Sequence, residues 1–138
     1  MKIAICASEG APYAKSGGLG DVMEALPAAL QRIEGNEVAL FLPYYNKIKT
    51  NSAYTVEKVA EFRVQLGWRQ QYCGVYRQTN RADGVKVYFL DNEYYFGRDG
   101  LYGLYDDCER FVFLSRAVME MLKYIGWKPD VINCNDWQ

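Results

Sequence analysis

An apolar run, KIAICA from Lys2 to Ala7, is followed by a glycine-rich segment, an amphipathic stretch and a second apolar run, EVALFLP from Glu37 to Pro43. No other feature restricts the folding of the chain so far. Short, unbroken, isoleucine-rich or leucine-rich runs read as strands buried on both faces. Between them, DVMEALPAALQRI (Asp21 to Ile33) places Val22, Leu26, Ala29, Leu30 and Ile33 on one side of a helix. Pro27 lies inside it and predicts a kink, because its ring removes a backbone donor and crowds the preceding turn. Gly35 and Asn36 then stop the helix. Strand, loop, helix and strand in this order make a crossover unit, and the right-handed rule for such units points to a parallel sheet.

The middle of the chain changes character. EKVAEFRVQL (Glu57 to Leu66) alternates apolar and polar residues, GWRQ separates it from QYCGVYRQT, and NRADG (Asn80 to Gly84) leads into VKVYFLD. Alternation bounded by Gly, Asn and Asp predicts antiparallel hairpins, while leaving open which strands join the main sheet. DNEYYFGRDGLYGLYDD (Asp91 to Asp107) has no period and reads as a surface loop. From about Asp106 to Ile125 helical spacing returns through Phe111, Leu114, Val118, Met121, Leu122 and Ile125, and DVINCN then reads as a further buried strand. The expected class is α/β: a Rossmann-like, mostly parallel sheet with helices on both faces and an antiparallel hairpin insertion. An open sheet normally continues past a strand into a loop and another crossover helix, so residues 1–138 read as an incomplete domain.

Composition excludes several kinds of function. The 138 residues suffice for one domain with a core, and a net charge of -1, with basic and acidic residues dispersed, offers no stripe for a phosphate backbone. Nucleic acid is therefore not an expected partner. No window is long and apolar enough for a membrane span, and the few apolar residues before Ser8 and Glu9 are too short a run for a secretory signal. The four cysteines, Cys6, Cys73, Cys108 and Cys134, form no C-x-x-C pair, and there is no histidine to complete a zinc site. Free thiols in a reducing, cytoplasmic setting are the expectation, with no metal and no cofactor. Without histidine, neither a Ser-His nor a Cys-His nucleophile can be built.

The candidate chemistry lies in KSGGLGDV, Lys15 to Val22. From Ser8 to Asp21 the chain is too poor in bulky apolar groups to be core, so it reads as a turn, a link or a binding loop. A glycine-rich turn ahead of a helix lets backbone N–H groups approach an anion, and Lys15 would add a full charge. The spacing matches neither G-x-G-x-x-G nor the Walker pattern, and a plain strand-to-helix connection would use glycine too. Tyr94, Tyr95, Phe96, Tyr102 and Tyr105 pose a similar choice: exposed rings stack on sugars, but aromatics also fold loops onto a core. One of Asp106 and Asp107 is accounted for by capping the following helix.

In order and spacing, KIAICASEGAPYAKSGGLGDVMEALPAAL, VYFLDNEYYFGRDGLYG, DDCERFVFLSRAVMEML and GWKPDVINCNDW together resemble the amino-terminal catalytic domain of bacterial glycogen synthases and plant starch synthases. The resemblance covers almost the whole chain. It implies a metal-independent, retaining transfer of glucose from ADP-glucose, or a related nucleotide-glucose, to the non-reducing end of an α-1,4-glucan, in the cleft between two Rossmann-like domains. The present chain would be the amino-terminal, acceptor-side domain, with the second, nucleotide-binding domain absent and no turnover expected from it alone. A non-catalytic glucan- or maltooligosaccharide-binding module, or an inert truncated product, is the alternative. By the resemblance, Lys15 lies beside the donor diphosphate, Gly17 and Gly18 close on phosphate and sugar, Asp21 opens the helix near the donor, and Asp106 lies near the transferred glucose. Tyr95 is the aromatic-loop residue assigned to substrate. Gln138 stands where the family pattern H-x-D-W-H has a histidine, and its amide can donate a hydrogen bond but cannot titrate. An interrupted sheet would leave apolar surface uncovered, which predicts self-association.

Overall fold

The computed structural model describes residues 1–138. Strand β1 (Lys2–Cys6) leads through the glycine loop into helix α1 (Gly18–Gln31) and strand β2 (Glu37–Pro43). A one-turn helix α2 (Asn46–Lys49) precedes the hairpin β3 (Val56–Leu66) and β4 (Arg69–Gln78). Strand β5 (Lys86–Asp91), the short helix α3 (Glu93–Phe96), the long helix α4 (Asp107–Tyr124) and strand β6 (Val131–Cys134) complete the chain.

All six strands form one sheet in the order β3-β4-β5-β2-β1-β6. The pairs β1–β2, β2–β5 and β1–β6 are parallel, while β4 runs antiparallel to both β3 and β5. The hairpin is therefore not a separate appendage but one end of the main sheet. From β1 the chain moves through α1 to one side, and from β5 it returns through α4 to the other side of β1. Two right-handed crossovers travelling in opposite directions put their helices on opposite faces. Accordingly α1 packs on β2, and α4 packs on β3 and β5.

The core is a single cluster built on the parallel strands β1, β2 and β5 and continued by Phe62, Val64, Cys73 and Val75 of the hairpin, with Ile5, Leu40, Phe41, Val87 and Phe89 fully buried. Helix α4 adds Phe113, Ala117 and Met121, all at 0% exposure. Burial of a side chain the size of Phe or Met contributes about 1.5–3 kcal/mol.

Several expectations require correction. Helix α1 begins at Gly18 rather than Asp21 and ends at Gln31, with Pro27 inside it as expected from the sequence and buried. Its inward residues are Gly20, Met23 and Pro27, with Leu19, Leu26 and Leu30 alongside, whereas Val22 and Ile33 are 48% and 56% exposed. The inward stripe is rotated because small residues, Gly20 above all, let the helix lie close to the preceding loop. That loop is not wholly outside the core: Ser8 to Ala11, Tyr13 and Ala14 are buried, and the Tyr13 ring packs against Tyr54 and Phe89. The surface loop from Asp91 contains α3, whose Asn92 side chain accepts from the Tyr95 amide. Finally, β6 is exposed along its length rather than buried, because it is the outermost strand beside β1.

Candidate active site

Strand order reverses at β1, the chain having gone to β2 first and to β6 last. At such a switch point the loops leaving the carboxyl ends of adjacent strands diverge to opposite faces and leave a crevice. Here the diverging segments are the glycine loop after β1 and the Asn135–Gln138 turn after β6.

The glycine loop is built around Glu9. This side chain is buried, its residue only 2% exposed. Its carboxylate accepts from the Ser16 amide at 2.6 Å, the Ser16 hydroxyl at 2.6 Å, the Gly20 amide at 3.2 Å and the Gly17 amide at 3.3 Å. An internal carboxylate thus occupies part of the expected bare anion cradle. This is physically reasonable, since an anion at a helix N-terminus is favoured both by the aligned dipoles and by charge-assisted hydrogen bonds. Four donors at the start of a helix have no partner within it, here Gly17 to Gly20. Glu9 takes the first and last of these, leaving the amides of Gly18 and Leu19 without a protein acceptor. A methyl group added at Gly18 would meet nothing within 4 Å, so the approach to its backbone is open. Lys15 lies over Gly20, where an added Cβ would fall 2.7 Å from its Cγ. Its ammonium pairs with Asp21 at 2.5 Å, both side chains being about half exposed.

Asp106 and Tyr95 occupy different surroundings. The Asp106 carboxylate is held by Arg98 through two hydrogen bonds of 2.6 and 2.7 Å, and its side chain is only 8% exposed. The Arg98 guanidinium holds that carboxyl below the usual aspartate range. Neither aspartate caps α4 with its side chain: Asp107 accepts instead from the Gly103 amide and from Arg110. Tyr95 is fully buried against Phe96 and Phe113, with its hydroxyl donating to Glu109. It is a core residue, so the assignment of Tyr95 to substrate is withdrawn. Tyr94 and Tyr105 remain exposed.

Tyr102 does reach the crevice. Its hydroxyl lies 2.6 Å from the Ser8 hydroxyl, and burial pushes its pKa up to about 12. Its ring packs on Phe111, which in turn meets Trp137 edge-on. The aromatic loop, the β1 loop and the β6 turn therefore meet at one edge of the sheet. In that turn Asp136 adopts a left-handed backbone, φ 63°, with its carboxylate accepting from the Trp137 amide at 2.7 Å. Gln138 lines a cavity of about 180 Å³ between α4 and the ends of β1 and β6, and no hydrogen bond joins it to the Lys15 loop. No three carboxylates or thiols converge as a metal-binding group would require.

Sequence reasoning missed Glu9, Arg98 and Arg110. Glu9 left one signal, a lone acid in a segment of small residues just ahead of a helix start. Arg110 left less, because its guanidinium is completely buried. It donates to the carbonyls of Tyr95 and Leu101 at 2.8 and 2.9 Å and to Asp107 at 2.7 Å, and so ties the aromatic loop to α4.

A family model described as the starch synthase catalytic domain matches residues 2–138. A glycogen synthase of Clostridium botulinum (strain Eklund 17B / Type B) is 50% identical over 138 residues, covering 100% of this chain and 28% of that protein. A glycogen synthase of Geobacillus thermodenitrificans is 53% identical over 137 residues, covering 99% of this chain and 28% of its own length. Among solved structures, the catalytic domain of starch synthase IV from Arabidopsis thaliana bound to ADP and acarbose superposes with a TM-score of 0.84 at 33% identity, over 99% of this chain and 28% of that one. The present chain thus spans 28% of the length of these relatives.

Proposed function

The chain belongs to the starch synthase catalytic domain family, and from that premise we propose that it forms the amino-terminal, acceptor-side lobe of a retaining glucosyltransferase. The reaction is transfer of glucose from ADP-glucose, or a related nucleotide-glucose, to the non-reducing end of an α-1,4-glucan. The observation that carries this reading is the loop after β1, where the Gly18 and Leu19 amides are unpaired beside the Lys15 ammonium. Breaking the bond between glucose and the diphosphate places negative charge on the leaving oxygens, and preorganised N–H groups with a cation stabilise it. An exposed ion pair such as Lys15–Asp21 is worth about 0–1 kcal/mol, so a diphosphate can take Lys15 from Asp21 at little cost. Gly17 and Gly18 keep the approach bare. Asp106 is assigned to fixing Arg98, and with it the aromatic loop, beneath the transferred sugar. Gln138 offers a neutral hydrogen bond at its corner and no proton.

No helix is long and apolar enough to cross a membrane, all four cysteines are free, and a cytoplasmic setting fits both facts. The same reading includes self-association through the uncovered edge of the sheet.

Calorimetric titration with ADP and with maltooligosaccharides, alongside an elongation assay, tests the proposal. ADP is expected to bind with an affinity that falls tenfold or more in Lys15→Ala, without glucan elongation by this chain alone. An unchanged ADP affinity in that variant would refute the donor-site assignment, and measurable elongation would refute the dependence on further groups. A glucan-binding module is the second reading, favoured by Trp68 and Tyr105, each 89% exposed and bordering one open groove with Arg69 and Arg116. Binding of maltooligosaccharide without any binding of ADP would select it.

A further inference from the structure

Strands β1 and β6 run parallel in a register that pairs Cys6 with Cys134. Adjacent strands lie about 4.8 Å apart, inside the range of about 4.4–6.8 Å between Cα atoms that a disulfide spans. Both side chains line the same 180 Å³ cavity beneath α4, in company with Leu114 and Val118. The strands are clamped at this level, since the Asn135 amide and its side-chain Nδ2 both donate to the Cys6 carbonyl, at 3.2 and 3.1 Å. Neither thiol is bonded. The other two cysteines differ: Cys73 is buried in β4 facing no cysteine across the ladder, and Cys108 is exposed on α4.

We propose that Cys6 and Cys134 form a dithiol site that converts reversibly to a disulfide by exchange with a small-molecule disulfide such as oxidised glutathione. The difference in exposure sets the order of events. Cys134 is exposed and attacks first: its thiolate takes one sulfur of the glutathione disulfide and releases one glutathione thiolate. The half-buried Cys6 then loses its proton to solvent and attacks the Cys134 sulfur, expelling the second glutathione. The sum is two protein thiols and one glutathione disulfide giving one protein disulfide and two glutathione thiols, with no other oxidant. Burial, with the Cys134 thiol close by as a smaller cause, pushes the Cys6 pKa up to about 12, which keeps Cys6 from reacting until a mixed disulfide stands beside it. The new bond ties β6 to β1 at the switch point and fixes the turn from Asn135 to Gln138. This inference does not depend on the glucosyl-transfer reading.

The test is incubation of the chain with oxidised glutathione, alkylation of remaining thiols, and peptide mapping without reduction. A linked Cys6–Cys134 peptide pair that disappears on addition of dithiothreitol is the expected result. Cys134→Ser is expected to abolish the link, and Cys6→Ser to leave glutathione held on Cys134. A glutathione adduct that persists on Cys134 of the unsubstituted chain, or a link through Cys108 or between chains, would overturn the proposal. Should either variant fail to fold, phenylarsine oxide on the unsubstituted chain tests the pairing directly. One arsenical retained per chain against a monothiol and released by a dithiol supports the pair, and release by the monothiol refutes it.

Discussion

At the scale of single residues, Glu9 decides the shape of the glycine loop. A glutamine there keeps one acceptor oxygen but turns an N–H₂ group towards amides that also donate. Hydrogen bonds to a charged group contribute about 1.5–3 kcal/mol, so Glu9→Gln is expected to lower unfolding stability by about 2–3 kcal/mol, read as a shift of the urea midpoint. Gly20→Ala tests the neighbouring contact. Its methyl would displace the stem of Lys15, so ADP affinity should fall while helicity is kept. Asp106 supplies a pH dependence. Arg98 holds its carboxyl below 3.8, so the unfolded chain takes up that proton more readily than the folded one. The stabilisation is complete above the unfolded value and is lost as pH falls through the lower folded value. Urea midpoints measured from pH 6 to pH 3 should fall at the acid end, and less steeply in Asp106→Asn. Glu109, lowered by its hydrogen bonds from Tyr95 and Arg69, contributes in the same direction.

At the scale of elements, α4 and the aromatic loop act as one unit through Arg110. Arg110 is completely buried while the Asp107 side chain is 17% exposed, so the cost of Arg110→Met falls mainly on the Tyr95 and Leu101 carbonyls it strands, at about 1–3 kcal/mol for each buried acceptor left unpaired. A loss of that order in denaturant unfolding is the expected outcome, and an unchanged midpoint would deny Arg110 this role. The elements themselves were largely legible. Strands β1 and β2 announce themselves as apolar runs, β5 as the alternating segment after the NRADG turn, and α4 through the spacing of Phe111, Leu114, Val118 and Met121, all of which are buried. The face of α1 was not legible, because hydrophobicity marks Val22 and Ile33 while close approach selects Gly20 and Met23. Nor was the parallel docking of β5 on β2, which carries the hairpin into the main sheet, since alternation in a strand reports its two faces and not its neighbour. At the site, the glycine loop could be picked out from the sequence as the segment between β1 and α1, and the backbone at Gly18 is open to approach. Glu9 could not, because a carboxylate that satisfies backbone amides has the same one-letter signature as a solvated one.

For the molecule as a whole, the two edges of the sheet are treated differently by the sequence. Strand β3 is long, but it carries Glu57, Lys58, Glu61 and Arg63 and is irregular between Lys58 and Ala60, features that discourage pairing with another chain. Strand β6 has only four residues, yet it presents Val131 and Ile132 at 46% and 37% exposure with no charged side chain among the four. Met119 on α4 and Trp137 beyond β6 are also exposed, at 53% and 64%. An apolar patch thus lies at this end of the molecule, where the strand edge also offers unpaired backbone groups. Association of two chains through β6 would satisfy both. Sedimentation velocity over a hundredfold range of concentration should accordingly show a rising average mass, and Ile132→Lys should return the profile to that of a monomer by placing a charge on the pairing edge. A single monomeric boundary for the unsubstituted chain at the highest concentration would mean that the short strand and its flanking turn already protect this edge.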